Sequence, residues 1–215
     1  MAAKRINLAV KRSVPFGTLA IVVVVVVIHA LPAAESVLQY DRLHIEQGEY
    51  WRLFTCHWCH ASAPHLFWNT MLVVIAGGIL ERQSGPEFRR TLVLSILALG
   101  PLLYAFLPEM ATYVGLSGLA AGLVAAVTTK GLMQRDRDVW IWVTIAFLMG
   151  GKIIYESFDP RLLLANSTSH RSVPLAHLVG IIAGLTATVR ISGKQWLRPA
   201  RPPRRLCEHP VPHPD

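Results

Sequence analysis

Six apolar runs divide the chain, each near the length of a membrane-spanning helix. The first begins at Gly17 and reads "GTLAIVVVVVVIHALPAA", and the other five cover about 65–80, 91–107, 117–133, 139–154 and 174–191. A helix needs roughly 20 mostly apolar residues to cross the hydrocarbon core of a bilayer, so several of these runs are short. The pattern predicts an all-α membrane protein, a bundle of six transmembrane helices.

The first apolar run also has features of a secretory signal. Basic residues from Lys4 to Arg12 precede an apolar core, and small residues follow it. The run is long for such a signal, and "ALPAAES" is a poor cleavage site. A spanning helix is therefore the favoured interpretation.

The polar stretches divide the chain into three parts. Residues 1–16 form an N-terminal segment, 17–192 the membrane domain, and 193–215 a disordered, basic, Pro-rich tail that can contact anionic lipid. Inside the domain, residues of about 33–64 form a long outer loop that is too polar to span. We expect its aromatic residues to lie at the membrane interface; they are Tyr40, Tyr50, Trp51 and Trp58.

The basic residues are distributed unevenly over the predicted loops. Hydrophobic residues make up 53% of the chain and charged ones 16%, and the net charge is +8. With both termini cytoplasmic, 16 of the 21 lysines and arginines lie on the cytoplasmic side, and the outer side has Arg42, Arg52, Lys152, Arg161 and Arg171. This asymmetry follows the positive-inside rule. It predicts that both termini lie in the cytoplasm. The net positive charge is then explained by the orientation of the chain in the membrane and does not indicate a nucleic-acid partner.

Ser117 stands at the outer start of the fourth span, in "YVGLSGLAAGL". The positive end of a helix dipole and free backbone N–H groups would stabilise an oxyanion developing there. The alternative is a serine that only caps its helix. Taking this span as about 13 residues, ending at Thr129, gives ~20 Å at ~1.5 Å per residue, and predicts a serine on the order of 10 Å below the outer surface.

His177 stands at the outer start of the sixth span, in "VPLAHLVGIIAGL". A histidine in an apolar helix is a functional candidate, although a structural role is the alternative. Both candidate helices continue with glycines four residues apart, at Gly118 and Gly122 and at Gly180 and Gly184. Such small faces allow close backbone approach, so we expect the two helices to pack through them and to bring His177 within reach of Ser117.

A third cluster lies in "CHWCHASAPHLFWN", residues 56 to 69. Its first five letters fit the C-x-x-C-H pattern of c-type haem attachment, and a zinc site or a disulfide between Cys56 and Cys59 are further possibilities. Its end suggests another chemistry, because His65 and Asn69 are four residues apart and share one helix face. Together they could donate hydrogen bonds to an oxyanion, or they could serve only to join two spans.

These motifs, in this order and spacing, resemble the rhomboid intramembrane serine proteases over roughly residues 40–190. The matching stretches are "GEYWRLFT", "HASAPHLFWN", "GGILERQSG", "GLSG" and "AHLVGIIAGL". The resemblance implies Ser117 as nucleophile and His177 as general base, a dyad without an acidic partner. It also implies an oxyanion hole of Asn69, His65 and the Ser117 backbone N–H, with no metal or cofactor.

In the nucleophile motif "GLSG", the resemblance makes Gly115 and Gly118 the motif glycines on either side of the serine. The chain departs from many members at Ala121, where an aromatic residue would pack against the histidine. Another residue must then orient His177. Lys152 and Glu156, one helical turn apart at the outer end of span five, are interpreted as an interfacial ion pair or as substrate-binding residues.

Within the family, "YDRLHIEQGEYWRL" and "GKIIYE" look most similar to the rhombosortases. That resemblance implies a bacterial inner-membrane protease with its site facing the outer side. Its substrate would be a membrane-anchored protein with a C-terminal tail of a Gly-Gly motif, an apolar helix and a basic cluster. The alternatives are a non-catalytic rhomboid-like protein that binds membrane helices, and a c-type haem redox protein.

Overall fold

A computed structural model describes residues 13–134, 139–158 and 173–196, with side chains up to Met133 in the first range and up to Val189 in the last. Residues 1–12 of the predicted N-terminal segment and 197–215 of the predicted tail lie outside the described residues. The last helix continues to Trp196, four residues beyond the predicted end of the membrane domain.

The described part of the chain is almost entirely helical, with one pair of two-residue strands. The helices are α1 (Phe16–His29), α2 (Pro32–Leu38), α3 (Arg42–Glu46), α4 (Arg52–Thr55), α5 (Ala63–Leu72), α6 (Gly78–Gln83), α7 (Gly85–Phe106), α8 (Ser117–Gln134), α9 (Val139–Phe158) and α10 (Pro174–Trp196). The strands are β1 (Tyr40–Asp41) and β2 (Thr112–Tyr113). A 3₁₀ turn, Cys56–Trp58, follows α4, and a π-helical turn, Val73–Gly77, joins α5 to α6.

Three of the described helices are long and apolar enough to cross a membrane. They are Ala63–Gln83, Gly85–Phe106 and Val139–Phe158. The pair α1 and α2 passes the same test only as one span bent by 107°, and two shorter apolar helices cover Ser117–Met133 and Pro174–Val189. The chain is therefore a multi-pass membrane protein, and the count of six spans stays a prediction.

Helix α8 covers the fourth apolar run, 117–133, but it is longer than the about 13 residues from which the depth of Ser117 was predicted. Helix α8 runs 18 residues from Ser117 to Gln134, or ~27 Å at ~1.5 Å per residue, so the predicted end at Thr129 is wrong. The next residue, Lys130, stays inside the helix because its ammonium contacts the buried Glu87 carboxylate of α7 at 2.5 Å. The argument for a recessed serine from a short helix no longer holds.

Helix α1 is fastened to the bundle by one carboxylate. The Glu81 side chain of α6 accepts hydrogen bonds from the backbone N–H groups of Gly17 and Thr18 and from the Thr18 hydroxyl, each at 2.8 Å. A carboxylate at this position satisfies free N–H groups of the first helical turn and favours the positive end of the helix dipole. The "LERQSG" stretch therefore has a structural role at the start of α1.

Helices α8 and α10 pack backbone to backbone through their glycines. A Cβ atom at Gly180 would lie 1.9 Å from the Gly118 carbonyl oxygen, and one at Gly184 would lie 2.1 Å from the Gly122 oxygen. Neither contact leaves room for a side chain, which is the arrangement that small residues four apart permit. The predicted packing of these two helices is confirmed.

The loop between α1 and α5, predicted to lie on the outer side, is folded onto the bundle. Strands β1 and β2 pair antiparallel, with Tyr40 opposite Tyr113 and Asp41 opposite Thr112. Tyr50 and Trp51 are exposed, as expected of interface residues, but Tyr40 is fully buried. The expectation was wrong for Tyr40 because it begins a strand whose pairing turns the ring into the core.

Two arginines anchor this loop through carbonyl oxygens. Arg42 donates to the Tyr104, Leu107 and Met110 carbonyls at 2.7, 3.0 and 3.3 Å. Arg52 is buried and donates to the Glu49 carboxylate at 2.6 Å and to the Ser36 and Gln39 carbonyls at 2.8 and 3.0 Å. A guanidinium has five donors in a planar fork, so each arginine can hold several chain segments together.

Candidate active site

Ser117 is the first residue of α8 and follows a turn that requires glycine. The turn is made by Gly115, whose φ of +140° disfavours any residue with a side chain. A Cβ atom there would lie 3.0 Å from Cε1 of His65 and 3.8 Å from Oγ of Ser117. The half-buried serine therefore sits beside the His65 ring, at a helix end with unpaired N–H groups.

His65 and Asn69 lie one turn apart on α5, and both are buried. Ser62 caps this helix by accepting a hydrogen bond from the His65 N–H at 3.3 Å, which fixes where the first turn begins. The Asn69 side-chain nitrogen is buried without a hydrogen-bond partner among the described residues. An unsatisfied buried amide costs free energy, so its two donors are available for a group that arrives later.

His177 is carried by the first turns of α10, which begins at Pro174. Its side chain is buried, and the residue before it, Ala176, meets α8 closely: a Cβ atom at Gly118 would lie 3.0 Å from the Ala176 carbonyl oxygen. Ser117 and His177 are thus the immediate chain neighbours of two residues in contact. The glycine packing thus brings into contact the two chain segments that carry Ser117 and His177.

The structure places a carboxylate against His177, which the sequence interpretation did not expect. Oε2 of Glu156 is 2.9 Å from Nδ1 of His177, and Oε1 of Glu156 contacts the Lys152 ammonium. The predicted pair of Lys152 and Glu156 is confirmed. The prediction that Glu156 lies at the membrane interface is wrong, because its side chain is only 1% exposed. The expectation of no acidic partner for His177 is also wrong, because α9 brings this residue to the histidine.

A second neighbour of Ser117 was missed by the sequence interpretation. Tyr113 is buried on β2, and its hydroxyl lies at 3.3 Å from the Gly115 carbonyl and within hydrogen-bonding reach of Ser117. Burial raises the pKa of this hydroxyl, so it stays protonated. The signal in the sequence was weak, since a tyrosine four residues before Ser117 fits a loop next to a membrane equally well.

The cysteines of the "CHWCH" stretch are free thiols that face the protein interior. Cys56 and Cys59 are both fully buried, and burial raises the pKa of Cys59 to about 12. Cys56 packs within the apolar core. Neither thiol is exposed to form a thioether, so their burial gives no support to the haem alternative.

Two histidines of the "CHWCH" stretch, His57 and His60, are buried and neutral near pH 7. His60 packs between His29 and His65, with ring centroids 6.5 and 5.3 Å apart, and its backbone N–H donates to the Glu35 carboxylate at 2.7 Å. Burial lowers the pKa of His60 to about 3 and that of His57 to about 4. The loop thus supports the candidate site through an uncharged ring that packs against His65.

These two depressed pKa values predict a pH-dependent stability. In the unfolded chain both histidines take up a proton near pH 6.5, whereas in the folded protein they do so only near pH 4 and pH 3. The free energy of unfolding should therefore fall as the pH drops from about 6.5 to about 4, by on the order of 1 kcal/mol per pH unit for each histidine. Thermal unfolding in detergent at pH 7 and pH 5 measures this. A double His57→Gln, His60→Gln variant should show a flatter profile, and equal wild-type melting temperatures at both pH values would contradict the prediction.

Two comparisons with known proteins, one with family models and one with individual proteins, identify the same family. The model of the Rhomboid domain family matches residues 47–194, more than half of the chain. RHOMBOID-like protein 5 of Arabidopsis thaliana is 30% identical over 105 residues, which are 47% of this chain and 33% of that protein.

Two further Arabidopsis thaliana proteins are similar over a comparable stretch. RHOMBOID-like protein 7 is 34% identical over 42% of this chain and 29% of its own length. RHOMBOID-like protein 6, mitochondrial, is 36% identical over 40% of this chain and 28% of its own length. The chain thus spans about a third or less of each of these relatives.

Proposed function

Because the chain belongs to the rhomboid family, we propose that it is an intramembrane serine endopeptidase whose catalytic dyad is Ser117 and His177. The observation that carries this proposal is the glycine contact between α8 and α10, in which Gly118 meets Ala176 and Gly180. That contact supports the proposal because Ser117 directly precedes Gly118 and His177 directly follows Ala176. A serine, a base and nearby donors are what acyl transfer requires.

The reaction begins when Oγ of Ser117 attacks a peptide carbonyl and His177 accepts the hydroxyl proton. The negative charge that develops on the carbonyl oxygen is stabilised by Asn69, His65 and the Ser117 backbone N–H. His177 then gives the proton to the leaving amine as the peptide C–N bond breaks. Water, deprotonated by His177, hydrolyses the acyl-enzyme and restores the serine.

The proposed substrate is a membrane-anchored protein whose helix unwinds locally next to the site. Small residues such as glycine and alanine suit a cleavage site, because glycine loosens a helix and both admit close backbone approach. The finer proposal is a rhombosortase-like specificity for C-terminal tails with a Gly-Gly motif, an apolar helix and a basic cluster. Its support is the resemblance of "YDRLHIEQGEYWRL" and "GKIIYE" alone.

The proposed location is a bacterial inner membrane, with both termini cytoplasmic and the site near the outer face. The distribution of lysine and arginine supports this orientation. The bacterial assignment rests on the rhombosortase resemblance, since the relatives named above are plant proteins.

A serine-reactive fluorophosphonate probe tests the proposed chemistry. The wild-type protein in detergent or proteoliposomes should be labelled covalently, and the Ser117→Ala variant should not, because only an activated serine attacks phosphorus at a useful rate. Labelling is read by in-gel fluorescence, and peptide mass spectrometry identifies the labelled residue. Equal labelling of both proteins would refute the assignment of Ser117, and an unlabelled wild type would favour the non-catalytic alternative.

The substrate proposal needs a second arm with two membrane reporters. One carries a tail with a Gly-Gly motif, an apolar helix and a basic cluster, and the other carries an ordinary membrane helix of equal length. Faster cleavage of the first by wild type, with Ser117→Ala as the blank, supports rhombosortase-like specificity. Equal cleavage of both leaves a general rhomboid protease and removes the finer proposal.

A further inference from the structure

The burial of Glu156 is unusual for the helix that carries it. Helix α9 has 20 residues, and Glu156 is the only one of its described side chains that is buried. The other positions of α9 are exposed or only partly buried, and large apolar residues such as Phe147 and Phe158 are among the exposed ones, as befits a helix facing lipid. A helix that buries a single side chain would gain more stability from an apolar one, because a buried carboxylate carries a large desolvation cost.

The contacts of Glu156 account for both of its oxygens. Oε1 contacts the ammonium of Lys152, one turn earlier on the same helix, and Oε2 lies 2.9 Å from Nδ1 of His177 on α10. Nδ1 of His177 and Oε2 of Glu156 lie 2.9 Å apart but not in hydrogen-bond alignment, and neither atom has a hydrogen-bond partner among the described residues. Since buried polar atoms are almost always satisfied, each of these two atoms is the natural partner of the other.

We propose that Glu156 is a positioning residue for His177, so that the site works as a serine, histidine and glutamate triad rather than a dyad. This inference rests on the proposed function of Ser117 and His177. The carboxylate is placed to accept a hydrogen bond from the N–H at Nδ1. This keeps the proton of the neutral imidazole on Nδ1 and leaves the lone pair on Nε2, the nitrogen that must face the serine. It also fixes the ring plane, the task that an aromatic residue at the position of Ala121 would otherwise perform.

The carboxylate has a second effect during the reaction. When Nε2 of His177 accepts the Ser117 proton, the ring becomes an imidazolium, and the negative charge of Glu156 at 2.9 Å stabilises it. Glu156 itself stays ionised and transfers no proton. Lys152 contributes indirectly, because its contact with Oε1 holds the carboxylate in place and offsets the cost of burying its charge.

The test is a pair of matched glutamate-to-glutamine variants. Glu156→Gln keeps the size of the side chain, but its amide can donate to Nδ1 and thereby moves the imidazole proton to Nε2. Glu87→Gln is the control, because Glu87 is also buried and paired with a lysine, at 2.5 Å from Lys130, but on α7. The readout is the rate of fluorophosphonate labelling of Ser117 in the monodisperse fraction, resolved into the maximal rate constant and the half-saturating probe concentration.

We expect Glu156→Gln to lower the maximal rate constant by about 100-fold or more relative to Glu87→Gln. The half-saturating concentration should stay within about twofold, because a buried carboxylate behind the imidazole has no contact with the probe. If Glu156 had only a structural role, Glu156→Gln and Glu87→Gln would lower the labelling rate constant by similar factors. A difference of less than about tenfold between them overturns the inference, whereas failure of the wild type to be labelled would refute the proposed function itself.

A double variant tests the positioning role of Glu156 if Glu156→Gln does not fold. Removing the carboxylate leaves the Lys152 ammonium without its partner, which is costly in a partly buried position. The double variant Lys152→Met, Glu156→Gln removes both charges and should fold. It should show the same loss of labelling rate, and labelling within about tenfold of Glu87→Gln would count against the positioning role.

Discussion

Replacing Gly180 with alanine should strongly destabilise the protein, because the added methyl group would meet the backbone of α8. The new Cβ would lie 1.9 Å from the Gly118 carbonyl oxygen and 2.8 Å from its carbonyl carbon. Both are backbone atoms, so the clash can be relieved only by moving α10 away from α8. Overpacking in a close-packed interior costs about 1–3 kcal/mol and sometimes more, and we expect about 3 kcal/mol here.

The same substitution at Gly150 provides the control. Gly150 lies on α9, and nothing stands within 4 Å of a Cβ built there. Alanine is the better helix former by roughly 1 kcal/mol, so Gly150→Ala should leave stability unchanged or raise it. Thermal unfolding in detergent measures both variants. Labelling of Ser117 should be lost together with stability in Gly180→Ala, because the proposed dyad depends on the same contact between α8 and α10. A melting temperature like that of the wild type would show that the contact is dispensable.

The packing of α8 against α10 could be predicted from sequence because its signal is local. Glycines four residues apart fall on one helix face whatever surrounds them, so Gly118 with Gly122 and Gly180 with Gly184 identified both partners. His65 and Asn69 were predictable for the same reason, since their spacing alone puts them on one face of α5. The fold of the outer loop was not, because Arg42 and Arg52 bind backbone carbonyls, which leave no trace in a pattern of side chains.

The role of Glu156 lay beyond sequence reasoning for a physical reason. Its nearest partner along the chain, Lys152, explains a glutamate fully, since lysine and glutamate one turn apart are a common pair on exposed helices. The histidine that it contacts stands 21 positions later on another helix. Only the placement of α9 relative to α10 shows that the carboxylate points inward. The predicted end of the fourth span at Thr129 was wrong for a similar reason, because a lysine such as Lys130 is expected at a membrane surface unless its contact with Glu87 is known.

Replacing Asn69 with leucine should abolish most of the activity while leaving stability intact. The Asn69 side-chain nitrogen is buried without a partner among the described residues, so its donors stabilise nothing in the resting protein. They gain a partner only when negative charge develops on the substrate oxygen. Loss of one such donor typically costs roughly 10²- to 10³-fold in the rate constant of the chemical step. We expect this loss in kcat for reporter cleavage, with KM nearly unchanged.

Stability separates this role from a structural one. An asparagine that joined two helices would destabilise the protein when lost, because its partner would remain buried and unsatisfied. Leucine is close in size and removes an unsatisfied polar group, so Asn69→Leu should melt at or above the wild-type temperature. Thr70→Val, the next residue on the same helix, changes an adjacent polar group but points about 100° away and should keep wild-type kcat. A strongly destabilised Asn69→Leu, or one with full activity, would contradict an oxyanion role.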